Sequence, residues 1–375
     1  MTTAADCEPW LAGIAGGVRA LSPYEPGRPI EAVQREFGLR HVVKLASNEN
    51  PAGPSPAALA AARASLDELG RYPDGNGTAL KAALAAFHDL PEAAITLGNG
   101  SNDLLELIAR LVLGPGRNAV VSEHAFAIYA LAARACGAEV RIAPARAAGT
   151  AQAYGHDLAA MAARIDARTA VVFIANPNNP TGTWLSEAEL AAFLDAVPAS
   201  VLVVLDEAYA EYVTAPGYPH GPALLARYPN LLVTRTFSKA YGLAALRVGY
   251  GLSAASLADL LNRIRQPFNV NGPAQAAALA ALGDQAHVAA SREANQAGMA
   301  QLEAGFARLG LATLPSAGNF LCVEVGEGAA SFQALLRRGV IVRPLAGYGL
   351  PRHLRVTVGL PAENEQLLEA LAALA

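Results

Sequence analysis

The sequence predicts an α/β fold with a mostly parallel sheet, and three observations lead there. First, five short runs rich in Val, Ile and Leu are apolar almost throughout instead of alternating: NAVVSE, EVRIAP, TAVVFIANP, VLVVLDEAY and NLLVTRTFS. Strands buried on both faces of a helix-covered parallel sheet read this way. Second, helical patterns lie between several of these runs, namely SNDLLELIARLVL, AIYALAARACG and SEAELAAFLDAV. Such alternation points to strand–helix–strand crossovers. Third, the texture changes after residue 270. A long Ala-rich helical stretch is followed by NFLCVEV, VIVRPL and HLRVTVG, a spacing that suggests a smaller α+β domain. The first 45 residues are irregular and rich in Pro and Gly, and are expected to join that smaller domain. The expected division is therefore 46–270 for the large domain and 1–45 with 271–375 for the small one.

Composition narrows the function classes. The 375 residues are 53% hydrophobic and 16% charged, enough to bury a large core, and the net charge of −4 comes with no long basic run. Nucleic acid is therefore not an expected partner. No apolar run reaches the roughly 18 residues that span a bilayer, and MTTAADCEPW has acids where a signal peptide would have basic residues. Cys7, Cys136 and Cys322 lie far apart and form no CxxC, which fits a reducing compartment. The expectation is a cytoplasmic protein away from membranes. Seven histidines, including His124, form no HExxH or comparable cluster, so no metal site is expected.

In open α/β sheets ligands sit beyond the carboxyl ends of the strands. That rule selects four places: NPNNPTG after TAVVFIA, Asp206-Glu207-Ala208-Tyr209 after VLVVL, Lys239 after LLVTRTFS, and GNGSND at the start of a helix. Each has an ordinary explanation by itself. Asn, Pro and Gly make turns, Ser101 or Asn102 can cap a helix, Asp206 can do the same, and a lysine can snorkel to water. Four polar groups at the same edge of one sheet are harder to explain so. GNGSND also lacks the third glycine of a dinucleotide fingerprint, and what remains is a set of backbone N–H groups suited to a single phosphate. A lysine, an aspartate, an asparagine and a phosphate cradle together suggest pyridoxal 5′-phosphate. That cofactor needs an amine for a Schiff base, a carboxylate for its ring nitrogen and an anion site.

NPNNPTG, DEAY and SKAYGLAALRVGY resemble the motifs of fold-type I aminotransferases. ASNENP (46–51), RYPDGNG (71–77), DEAYAEY, GYGLP (347–351) and LRVTVGLPAENE (354–365) resemble, more narrowly, the histidinol-phosphate aminotransferases. The resemblance runs from Tyr24 to about Glu365. It implies that Lys239 holds the cofactor and moves the substrate proton, and that Asp206 pairs with the pyridine N–H. Asn179 and Tyr209 would bond the ring hydroxyl, and Phe126 would stack on the ring where relatives often carry Tyr. Ser101, Asn102, Thr236, Ser238 and Arg247 would bind the phosphate, with Arg247 as the charged partner. Tyr72 would reach the phosphate of a second subunit, making a homodimer the working unit.

For substrates the resemblance implies L-histidinol phosphate and 2-oxoglutarate, giving imidazole acetol phosphate and glutamate in histidine biosynthesis. Arg355 would bind the substrate carboxylate and Arg343 is a second candidate, for the phosphate, with either anion open to either guanidinium; Tyr24 and Asn48 would close the site and Tyr72 would also touch the substrate. Two other activities use the same residues: an aromatic amino-acid aminotransferase, and a decarboxylase acting on a phosphorylated amino acid. Histidinol phosphate has no carboxylate on the carbon bearing its amine, so proton removal is its productive path. A non-catalytic regulator would need a DNA-binding segment, and residues 1–45 are too short and too neutral to supply one.

Overall fold

The computed structural model describes residues 10, 13–14, 16–19, 21–23 and 26–374. Twelve strands are present among them: β1 (Val43–Lys44), β2 (Ile95–Gly98), β3 (Asn118–Ser122), β4 (Glu139–Ala143), β5 (Thr169–Ala175), β6 (Leu202–Asp206), β7 (Leu231–Thr236), β8 (Gly249–Ser253), β9 (Phe320–Glu324), β10 (Val340–Ile341), β11 (Arg343–Pro344) and β12 (His353–Thr357). Seven of them form the large sheet, in the order β2-β8-β7-β6-β5-β3-β4. Only β8 runs against its neighbours; the other pairings are parallel.

All five apolar runs read from the sequence lie in this sheet. Their side chains feed two cores by simple alternation. Val172 and Ile174 of β5 pack into one, Val171 and Phe173 into the other. β5, β6 and β7 are buried along nearly their whole length, which is why their sequences look continuous and not alternating. Helices α1 (Ser101–Val112) and α2 (Ala127–Ala135) cover one face, with Leu104, Leu105, Leu107 and Ile108 of α1 and Tyr129 of α2 in its core. β2 and β8 have no counterpart in the sequence reading. ITLG is only four residues long, and GYGLS carries two glycines that dilute its apolar signal.

A second, smaller unit is built on the three-stranded sheet β11-β12-β9, all antiparallel. Helices α3 (Gln285–Arg308), α4 (Gly328–Arg337) and α5 (Pro361–Ala372) pack around it through Met299, Leu302, Phe306, Leu335, Leu367 and Leu368. β1 pairs with β10 of this unit, Val43 opposite Val340. The Ala-rich stretch is not one helix: it breaks at Gly283, and the Asp284 side chain accepts from the His287 amide to start α3. Ala274, Ala277, Ala278, Ala281 and Leu282, before the break, pack into the core of the large sheet. We therefore propose the passage between the two units at Asp284 instead of at residue 271.

VIVRPL also divides. Val340 and Ile341 pair with β1, whereas Arg343 and Pro344 pair with β12. This switch sets Arg343 directly opposite Arg355 in an antiparallel pair, so both guanidiniums emerge on one face.

Candidate active site

At the carboxyl ends of β5, β6 and β7 the chain forms a cavity of about 190 Å³, closed on the far side by the small unit. Ser101, Asn102, Phe126, Asn179, Asp206, Tyr209, Thr236, Ser238, Lys239, Arg247, Asn48, Arg343 and Arg355 all line it. Thirteen side chains or backbones named from the sequence thus meet in one place. Two do not. Tyr24 lies outside the described residues. Tyr72 is 82% exposed, is not part of the cavity, and stacks on Phe268 at 4.6 Å.

Asp206 ends β6 with its carboxylate buried. It accepts from the Tyr129 hydroxyl at 2.7 Å and from Thr234 Oγ1 at 3.0 Å. Both partners are neutral, and no cation bridges it among the described residues. Burial therefore dominates and holds its carboxyl above the usual range, with the two hydroxyls pulling the other way. Tyr129 was missed in the sequence reading. It sits one helical turn after Phe126, on the helix that follows β3, and that i, i+3 spacing was the available signal.

Lys239 lies three residues beyond β7. Its Nζ donates to the Ser47 carbonyl at 3.2 Å and stands 5.6 Å from the centre of the Tyr209 ring. Burial first, and then the Arg355 guanidinium, push its amine down to about 7. Near neutral pH a large share of it is the free base, which is the form that attacks a carbonyl or takes a proton.

The hydrogen-bonding roles of Tyr209 and Asn179 follow from what their partners leave open. Asn48 Nδ2 donates to the Tyr209 oxygen at 2.9 Å, so the phenol hydrogen is left to donate. Burial holds that phenol up at about 12, so it stays protonated. Arg355 donates one Nη to Asn179 Oδ1 and the other to the Ala46 carbonyl at 2.6 Å. The Asn179 amide then has its N–H groups available. Asn48 itself is fixed through Thr357, whose hydroxyl donates to Asn48 Oδ1 and accepts from the Asn48 amide, both at 2.9 Å.

An anion cradle lies at the start of α1. Gly100 has φ +82°, and a Cβ there would run into the Arg247 guanidinium, so the loop's backbone and the arginine can approach only through glycine. Arg247 donates to Ser238 Oγ at 3.2 Å and to the Ala244 carbonyl at 3.0 Å. Thr236 Oγ1 accepts from the Ser238 amide at 3.1 Å, so threonine and serine are held together at the strand end. Asn102 Nδ2 donates to Glu106 Oε1 at 2.9 Å, which turns one of its amide hydrogens away and leaves its backbone N–H as its main offering to an anion. Asp103, unremarked in the sequence, ties the loop down by accepting from the Asn99 amide at 2.9 Å and from Asn269 Nδ2 at 2.8 Å.

The arrangement can therefore bind a phosphate-sized anion at one end, present a neutralisable amine in the middle, and offer a buried carboxylate that lacks a cation. These are the demands of a pyridoxal phosphate ring, and the residues present fit it. No group of three or more possible metal ligands is found among the described residues.

The model of the family "Aminotransferase class I and II" matches residues 40–371. Histidinol-phosphate aminotransferase 2 of Pseudomonas fluorescens is 61% identical to this chain, over 96% of the chain and 97% of the relative. Histidinol-phosphate aminotransferase 1 of Nitrosococcus oceani is 55% identical over 95% of each. Among solved structures, the histidinol-phosphate aminotransferase of Sinorhizobium meliloti in complex with pyridoxal-5′-phosphate superposes with a TM-score of 0.86. It is 32% identical, and the match covers 96% of this chain and 98% of that one.

Proposed function

Because the chain belongs to the class I and II aminotransferase family, we infer that it is a pyridoxal-phosphate-dependent aminotransferase acting between L-histidinol phosphate and 2-oxoglutarate, in histidine biosynthesis. One observation carries the reading. A depressed amine, a cationless buried carboxylate, the start of a helix and a pair of facing arginines all converge on one cavity.

Lys239, Asp206, Asn179, Tyr209, Phe126, Ser101, Asn102, Thr236, Ser238 and Arg247 would hold the cofactor. When bound, pyridoxal phosphate supplies an aldehyde that links to amines and a ring that accepts electron density from the substrate carbon. Asp206, lacking a cation of its own, would pair with the ring N–H and stabilise positive charge there. Lys239, as free base, would take the proton from the substrate carbon at Nζ and deliver it, within the same half-reaction, to the cofactor carbon that had carried the aldehyde; the opposite half-reaction would run this transfer in reverse. Asn179 and Tyr209, with N–H and O–H groups left free, would hydrogen-bond the ring hydroxyl. Phe126 lies on the cavity wall, where it would stack on the ring face.

The two amino donors, histidinol phosphate and glutamate, share an anion at the end away from the reacting carbon. Arg343 and Arg355, directly opposite in register, supply two guanidiniums that can take phosphate or carboxylate. Asn48 stands beside them, anchored to Tyr209 and Thr357. The working unit is a homodimer: Tyr72 and Phe268 stack at the surface, outside the cavity of their own chain, where they can serve a neighbour. No helix among the described residues is long and apolar enough to cross a membrane, and the place of action is the cytoplasm.

Comparing kcat/KM for L-histidinol phosphate and phenylalanine, with 2-oxoglutarate as acceptor, tests the substrate. The expected outcome is a preference for histidinol phosphate of roughly 10²-fold or more, because phenylalanine carries its only anion on the reacting carbon and has none farther out for the two arginines to take. A preference for phenylalanine would make the chain an aromatic aminotransferase, and release of CO₂ from a phosphorylated amino acid would make it a decarboxylase.

A further inference from the structure

His124 is one of seven histidines, which form no metal-binding motif in the sequence. It is buried at 5% exposure, two residues before Phe126, and does not line the cavity. Its Nδ1 lies 2.7 Å from the Tyr348 carbonyl. A carbonyl can only accept, so Nδ1 carries the hydrogen. His124 therefore reaches from the segment between β3 and α2, in the large unit, to the turn after β11 in the small one.

The other contacts of this histidine are as specific. Its own carbonyl accepts from Asn178 Nδ2 at 2.9 Å, in the loop that carries Asn179. Its ring meets the edge of Tyr154 at 5.5 Å, and Tyr154 in turn meets His353 at 5.6 Å. His353 and Arg355 point to the same face of β12, two residues apart. On the far side the turn 345–350 is closed on itself, with the Tyr348 and Leu350 amides both donating to the Leu345 carbonyl at 2.9 and 3.1 Å. Gly349 has φ +75°, and a Cβ there would stand 3.3 Å from His124 Cε1. The turn lies flat against the imidazole because glycine allows it. Arg343 comes immediately before this turn and faces Arg355.

We propose that His124 is a positioning residue: its Nδ1–H bond to the Tyr348 carbonyl latches the turn 345–350 onto the cofactor-binding unit and thereby sets where the paired guanidiniums of Arg343 and Arg355 stand over the cavity. The latch governs recognition of the substrate anion and leaves the proton-transfer groups alone. It deepens the substrate reading given above and rests on it.

The test compares the loaded wild-type enzyme with His124→Leu and His124→Asn. Leucine keeps apolar bulk and removes the donor. Asparagine restores a donor, since its Nδ2 is bonded to Cγ as Nδ1 is in histidine. The expected result for His124→Leu is a KM for L-histidinol phosphate and for glutamate raised about tenfold, the upper range for one lost hydrogen bond, with kcat within about twofold of wild type. His124→Asn should recover most of that loss. Amide hydrogen exchange across residues 345–350 should be faster in His124→Leu and near wild type in His124→Asn, with or without cofactor. Equal KM values in all three proteins, an equal loss in Leu and Asn, or a fall in kcat at unchanged KM would each overturn the proposal. A wild-type enzyme inactive on L-histidinol phosphate would count against the substrate reading, and the exchange pattern would then decide the latch.

Discussion

Asp206 and Glu207 are consecutive residues, both buried, and their surroundings are opposite. Asp206 faces the cavity and accepts from two neutral hydroxyls. Glu207 faces the other way, where Arg235 donates to one of its oxygens through Nε and Nη2 at 3.0 and 2.7 Å and the Gly221 amide donates to the other at 3.1 Å. Behind them Glu211 stands 3.8 Å from Arg235, and burial pushes its carboxyl up to about 7. One carboxylate is held without a cation and the other is saturated by one. A buried charge without a counter-charge is costly unless something else completes it. Under the proposed function the cost at Asp206 is one that a bound cofactor would offset, whereas Arg235 and Glu207 tie the end of β6 to β7.

The largest effect that separates the two sides is expected from Lys239→Ala. Turnover should fall by at least the roughly 10²–10⁴-fold that a placed base contributes, with further loss from the missing cofactor link. Thermal stability of the cofactor-free chain should not fall, because the substitution removes a depressed amine and not a paired charge. Steady-state rates and a melting curve check both halves. Activity near wild type would place the essential amine elsewhere.

A smaller effect is a pair of opposite slopes in stability against pH, read on protein stripped of cofactor. Glu211 binds its proton more tightly folded than unfolded, so between about pH 4.5 and 7 the native state holds more protons and its contribution to stability declines as pH rises. Lys239 is the reverse. From about pH 7 to 10.5 the unfolded chain holds more protons, so stability rises with pH through that window. Glu211→Gln should flatten the first slope and Lys239→Ala the second, in urea titrations across pH. Unchanged slopes in both variants would mean that neither group is shifted by burial.

What could be read from sequence divides along similar lines. The five buried parallel strands were legible because burial on both faces forces a continuous apolar run. Lys239, Asp206 and Asn179 stood out because each is polar at the end of such a run. Tyr129 was hidden because a tyrosine within an apolar helix looks like core, and its ring is core: it stacks on Phe173 at 4.9 Å while its hydroxyl serves Asp206. The facing of Arg343 and Arg355 depends on a strand that changes sheets within four residues, which no local pattern encodes. The break at Asp284 did leave a trace, a Gly-Asp pair inside an Ala-rich run, since glycine ends helices and aspartate begins them. Tyr72 stands exposed against Phe268 and outside the cavity, a placement that no local pattern displays.

The contrast between the two neighbouring carboxylates is tested most directly by making the same change in each, Asp206→Asn and Glu207→Gln, and measuring kcat and melting temperature for both. Asp206→Asn is predicted to lower kcat by about 10²-fold or more, as for loss of a preorganised charge at a reacting group, with little change in melting. Glu207→Gln is predicted to cost about 3 kcal/mol of stability by stranding Arg235, with kcat of the folded enzyme close to wild type. If Asp206→Asn destabilises the fold while keeping its rate, or Glu207→Gln abolishes turnover while melting normally, the assignment of one carboxylate to chemistry and the other to structure is wrong.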